Sequence, residues 1–286
     1  ALAMYRTAYS TVVRDCPDYA TSLCNTNGVM IGQGTTLPLQ LGAVPFAMEK
    51  LFEKYANEIL EGDVFILNDP FEGGMHTPDI FIVKPIFWEH KRVAFAVCTA
   101  HHLDVGGRVP GTGACDNTDI FQEGLRIPWL KLYQQGKPDR TLFELFRTNV
   151  RVPEMTVGDL MAQVAACNIG ERAIHDLIRR YGVETFVDVC DDLIDYTERL
   201  MRTEIASWPD GSHAFTDYID SDGVDGAPVR IQVTATVQGD SLTIDFTGTS
   251  PQVRGALNAT ESFVTSAVTF CVRALMKEDI PNTGGM

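Results

Sequence analysis

The chain has 286 residues, 45% of them hydrophobic and 21% charged, enough to bury a sizeable core and too apolar for a disordered segment. A net charge of -15 excludes nonspecific affinity for phosphate backbones or anionic lipid, both of which need basic patches. No apolar run approaches the roughly 18 residues of a membrane span, and the opening ALAMYRTAYS lacks the charged and apolar regions of a secretory leader. Seven scattered cysteines with no CxxC pair argue against a disulfide framework or a zinc finger and for a reducing, cytoplasmic setting. The absence of an initiator Met and the turn-like close NTGGM lead to the expectation of a fragment of a longer subunit.

In chain order, residues 41–60 place Phe46, Met48, Leu51, Phe52, Tyr55 and Ile59 near helical spacing, a half-buried helix. After Gly62 the period changes. VFIL (64–67), IFIVKPIF (80–87) and VAFAVCTA (93–100) are short apolar runs of buried-strand type, the last two joined by a hairpin turn at EHKR. Residues 105–139 are rich in Gly, Pro, Asp and Asn and predict one long, functional loop. Helical periodicity returns at 156–181, with Thr156 and Asp159 as a capping-box-like opening, and at 183–206, with Gly182 between the two helices. Beyond Trp208-Pro209, IQVTATV and LTIDF alternate around QGDS as a β-hairpin, and residues 259–276 predict a helix packed on that sheet. The expected fold is mixed α/β, with buried strands, packed helices and a β-hairpin-rich C-terminal part. Residues 1–207 would form a metal-site domain ending in two long helices, and 208–286 the truncated start of a β-rich second domain.

Three of the six histidines, His76, His101 and His102, fall around predicted strand ends, in HTPD (76–79) and HHLD (101–104). Imidazole and carboxylate offered together suit zinc, manganese or iron better than calcium, although the spacing is not that of HExxH. Pro78 and Gly73-Gly74 predict a turn that swings His76 and Asp79 to one side. Strand alternation sends His101 and His102 to opposite faces, so one of the two shares the site; in a continuing strand Asp104 lies with His102. The competing reading is that these are hydrogen-bonded core histidines and turn-forming aspartates.

Other chemistry is poorly supported. Gly106-Gly107 and GTG (111–113) lack the context of a phosphate loop, and no GxSxG is present. Cys98 reads as a core thiol and the acidic string Asp188, Asp191, Asp192, Asp195 as a solvated helix face.

Together, NDPFEGGMHTPD, AHHLDVGG followed by RVPGT, FQEGLRIP, NVRVP, GDLMAQVAA and DFTGTSPQVRGALN resemble the hydantoinase B/oxoprolinase family across nearly the whole chain. The resemblance implies the metal-bearing subunit of an ATP-dependent enzyme such as a hydantoinase, oxoprolinase, caprolactamase or ketone carboxylase. It implies a hydantoinase A-type partner that binds ATP and phosphorylates the substrate oxygen, in a hetero-oligomer acting on a cyclic amide, with no nucleic-acid or membrane partner. It places the ligands of a divalent metal, zinc or manganese, on His76, Asp79 and His101, with a fourth at Asp15 in RDCPDY. Relatives more often carry Glu at the Asp15 position, so a shorter side chain there implies a moved backbone or a weaker, differently metallated site. His102 and Asp104 are left as catalytic, substrate-side groups, and Asp69 as a positioning residue. Ring hydrolysis is the expected reaction, with ketone carboxylation and a non-catalytic scaffold as alternatives.

Overall fold

The computed structural model describes residues 1–34, 36–111, 113–277 and 280–286. Short helices α1 (Leu2–Thr7) and α2 (Thr11–Arg14) lead into strands β1 (Tyr19–Cys24) and β2 (Met30–Gln33). A 3-10 turn (Pro38–Ala43) runs directly into helix α3 (Val44–Tyr55), followed by strands β3 (Val64–Leu67), β4 (Asp79–Trp88), β5 (Lys91–His101), β6 (Leu130–Gln134) and β7 (Lys137–Pro138). Helices α4 (Arg140–Asn149), α5 (Pro153–Tyr181) and α6 (Val183–Ala206) come next. Strands β8 (Gly211–Ile219), β9 (Val229–Gln238) and β10 (Ser241–Asp245) and helix α7 (Glu261–Leu275) complete the order.

The first seven strands form one antiparallel sheet in the order β2-β1-β5-β4-β3-β6-β7. Its centre is the β4–β5 hairpin, closed by Glu89 and His90 with φ of 48° and 65°, the two left-handed residues of a tight hairpin turn. Successive side chains on these strands point to opposite faces, so a continuous apolar run builds two cores. Ile80, Ile82, Ala94, Ala96, Cys98 and Ala100 face Leu160, Val164 and Cys167 of α5, and the small alanines let that helix lie close. Phe81, Val83, Phe95 and Val97 face Met48 and Leu51 of α3, with Trp129. Even-numbered residues of this hairpin therefore look to α5 and odd-numbered residues to α3.

Several elements differ from the sequence reading. The long loop is shorter than its composition suggests: LKLYQ pairs with β3 through β6, because Leu132 is an apolar core residue at sheet-edge spacing. Helix α5 starts at Pro153, and Thr156 and Asp159 are buried inside it rather than capping it. Thr156 Oγ1 donates to the Asp104 carbonyl, and Asp159 Oδ1 accepts the Tyr9 and Ser10 amides. Residues 211–245 form a separate three-stranded antiparallel sheet, β10-β9-β8. Helix α7 packs on the 38–43 turn instead of on that sheet. Gly42 explains the close approach, since a Cβ there would fall 2.5 Å from the Ser266 Cα. Among the described residues no helix is long and apolar enough to cross a membrane.

Candidate metal centre

The site is built by register. Asp79, the first residue of β4, lies directly opposite His101, the last of β5. Both are odd-numbered and so share the α3 face, where opposite partners in an antiparallel pair bring their Cβ atoms to about 4.5–5.5 Å. On the other flank of β5, Tyr19 pairs with Ala100 and the His101 amide donates to the Asp18 carbonyl at 3.0 Å. Asp18 therefore enters the same row from β1, alternating with Tyr19, which joins the α5-side core. Asp18, His101 and Asp79 come from three adjacent strands.

His76 arrives by the turn before β4. Asn68 fixes that turn: its Nδ2 donates to the carbonyls of Thr77 (2.6 Å) and Leu125 (2.9 Å), and its Oδ1 accepts the Ile127 amide (2.6 Å). Asp69 Oδ1 caps the 3-10 turn Pro70–Glu72 through the Phe71 amide, while its other oxygen pairs with Arg126 at 3.3 Å. Glu72 accepts the Trp129 amide. The polar crowding in NDPFEGG is thus largely scaffold, and it delivers His76 Nδ1 to 2.9 Å from Asp79 Oδ2. His101 Nδ1 lies 3.4 Å from Asp79 Oδ1, and the two imidazole rings are 5.0 Å apart.

His76, Asp79 and His101 offer ligand atoms that all lie within 4.8 Å of one another, a spacing that can hold a metal ion. Exposure is graded: the His76 side chain is 49% exposed, His101 26% and Asp79 3%, so the carboxylate forms the floor and the imidazoles the rim. Burial pushes the Asp79 carboxyl up, but the two imidazoles outweigh it and hold the group below the usual carboxylate range. Burial pulls His76 down, and the hydrogen bond and charge of Asp79, with the charges of Asp18 and Glu123, raise it above the ordinary imidazole value. Burial likewise raises Asp18. An anionic floor with imidazoles at its rim is a donor set suited to a divalent ion of zinc or manganese type.

The family model described as hydantoinase B/oxoprolinase matches residues 1–286. The chain belongs to the hydantoinase B/oxoprolinase family. It is 36% identical over 257 residues to the B-type subunit of the "Putative D-/L-hydantoinase" of Pseudomonas sp. strain NS671, covering 87% of this chain and 43% of that one. The crystal structure of the ATP-dependent caprolactamase from Pseudomonas jessenii superposes with a TM-score of 0.88 at 33% identity, covering 94% of this chain and 46% of that one. A nucleotide-free acetone carboxylase structure superposes with a TM-score of 0.90 over 99% of this chain and 39% of that one; at 19% identity it shows the shared fold. The chain spans about half the length of the curated relatives it matches.

Within this hydantoinase B fold the residues expected at the site separate into two groups. His76, Asp79 and His101 converge. Asp15 does not: it lies at the end of α2, with its side chain 55% exposed and paired to Arg14 at 3.0 Å. The carboxylate facing the trio is Asp18, which the strand register brings in where the chain before Pro17 cannot. His102 and Asp104 also need correction as substrate-side groups. The alternation that turns His101 to the α3 face turns His102 away from it, fully buried, with Nε2 2.9 Å from Gln163 Oε1 on α5. Burial there lowers the His102 pKa. Asp104 is clamped by Arg151, whose Nη1 donates to Oδ1 at 2.7 Å and whose amide donates to Oδ2 at 2.7 Å.

Two neighbours of the site escape motif reading. Gln40 is buried in the 3-10 turn. Glu123 sits in FQEG, where Thr77 Oγ1 reaches its carboxylate at 3.4 Å and burial raises its pKa within electrostatic reach of His76. The only sequence signal for Glu123 is its place in FQEGLRIP, one of the stretches that carry the family likeness. Gly106 and Gly107 serve the Arg151 clamp through their carbonyls, and Thr112 of GTG lies outside the described residues. The four acidic residues of α6 are exposed or half-exposed, and Asp191 accepts from Asn25.

Proposed function

We propose that this chain is the metal-bearing part of a B-type subunit of an ATP-dependent cyclic amide hydrolase, opening a hydantoin, oxoproline or lactam ring. The observation that carries this reading is the convergence of His76, Asp79 and His101 in a chain related to proteins named as a hydantoinase and an ATP-dependent caprolactamase. His76, Asp79 and His101 would hold a zinc or manganese ion, with Asp18 in the role assigned from the motif to Asp15. Such an ion, when bound, supplies Lewis acidity at the substrate oxygen and at an attacking water.

No phosphate-loop motif occurs in the sequence, so the ATP step belongs to a hydantoinase A-type partner in a hetero-oligomer. Phosphorylation of the amide oxygen makes its carbon electrophilic; water then adds there, phosphate leaves, and the ring C–N bond breaks as nitrogen takes a proton. Asp79 orients both imidazoles, and Glu123, its carboxyl raised by burial, is the rim group suited to holding that proton.

The test uses the complete subunit with its partner. The expected result is a stoichiometric divalent metal, lost in His76→Ala, and release of ADP with ring opening of a lactam or hydantoin. Metal-free protein with full turnover would overturn the metal assignment. Turnover that demands bicarbonate and a ketone would replace hydrolysis with carboxylation. His76 and Asp79 variants that activate the partner as well as the parent does, from a parent that binds no metal, would leave a scaffold.

A further inference from the structure

Gln40 stands out among the buried polar residues around the site. It is 2% exposed, and its Nε2 donates at once to Asp18 Oδ1 at 3.0 Å and to Asp79 Oδ1 at 3.3 Å. The reversed amide would set an oxygen against two carboxylates, so the chemistry fixes which end faces them. The other end, Oε1, is buried with no hydrogen-bond partner among the described residues. A residue kept only to fill space there would be better replaced by Leu or Met, which carry no orphaned acceptor. We infer that Gln40 is a positioning residue for the metal centre, tying the two carboxylates together and fixing which oxygens they present.

The geometry gives this a definite consequence. Two carboxylates on one face repel, and the neutral N–H donors between them hold both in place without supplying a positive charge that would compete with a cation. With Oδ1 of each engaged, Asp79 Oδ2 meets His76 and Asp18 Oδ2 is left unengaged among the described residues. The backbone carrying Gln40 is itself braced. Helix α7 lies against Gly42, and its Ser262 Oγ donates at 2.8 Å to the carbonyl of Gly74, two residues before His76. One helix from the far end of the sequence therefore touches both turns that supply the site.

The inference rests on the metal reading above, and the experiment separates the two. Zn2+ binding by calorimetry and the visible absorption of bound Co2+ are measured for the complete protein, Gln40→Met and Gln40→Asn. Gln40→Met keeps the volume without the donors and is expected to bind Zn2+ about 10- to 100-fold more weakly, with an altered Co2+ spectrum. Gln40→Asn, too short to bridge both carboxylates, is expected to lose affinity as well and carries the test if the Met variant does not fold. Parental affinity and an unchanged spectrum in the folded variants overturn the role of Gln40 while leaving the metal centre intact. A parent that binds neither ion takes both down.

Discussion

The two sheets of this molecule are built from the same alternation and end in opposite states. In the seven-stranded sheet Phe81 and Phe95 are fully buried, because α3 covers one face and α5 the other. In the three-stranded sheet the register puts Phe215, Val233 and Ile244 on one face, with Thr216, Gln232 and Thr234 on the other. Yet Phe215 is 66% exposed and Ile231 37%. Alternation dictates which residues share a face, and a second layer decides whether that face becomes a core. The difference also explains where the candidate chemistry lies. An Asp held 3% exposed against two imidazoles needs a covered sheet whose rim still meets water, and the α3 side of β4 and β5 provides both.

The sharpest way to break this comparison is to empty a position in the covered sheet. Phe81→Ala removes a fully buried ring from the α3-side core and should destabilise the protein by about 3–5 kcal/mol, read from the chemical-denaturation midpoint. Because Phe81 lies two residues from Asp79 on the same face, metal affinity should fall with it. A cost below about 1 kcal/mol would mean that this face is far less closely packed than its burial states.

What is legible in the sequence follows from the same physics. The β4–β5 hairpin announces itself by apolar runs and a two-residue turn, and with it comes the opposite facing of His101 and His102. The convergence of His76 on Asp79 is signalled by the glycines and Pro78 of the turn. Strands β6 and β7 are hidden because the composition around LKLYQQGKP is that of a loop, and only pairing with β3 turns it into an edge. Asp18 is obscured by Asp15 because the motif marks both acids; what separates them is that Asp18 begins a strand in register with His101, a fact of tertiary pairing. The location of α7 is illegible for a related reason. Its apolar stripe shows that it packs on something, while the absence of a side chain at Gly42, more than two hundred positions earlier, decides on what.

A second test addresses Asp104, which the motif places near the chemistry and the structure places in a clamp. Arg151→Ala withdraws the bonds from its guanidinium to Asp104 and to the Gly106 and Gly107 carbonyls, leaving a carboxylate 4% exposed with only backbone donors. Breaking a wholly buried pair would cost more, but the Arg151 side chain is 39% exposed, so about 1–3 kcal/mol is expected. Hydrogen exchange should quicken across residues 105–109 while Zn2+ affinity stays within about twofold. Loss of turnover at unchanged stability and exchange would instead return Asp104 to the substrate side.

The smallest effect belongs to the open sheet, and its smallness is the point. Phe215→Ser removes an aromatic side chain as large as that of Phe81, from a strand of similar length in an equally regular antiparallel pair. Its ring is already mostly in water, so little apolar area returns to solvent when it is removed, and the change should stay within about 0.5 kcal/mol. The contrast with Phe81 is controlled for residue type and for secondary structure, which leaves coverage by a second layer as the remaining variable. A loss of several kcal/mol from Phe215→Ser, in the same denaturation experiment, would show that something covers this face in solution and would make the two sheets equivalent after all.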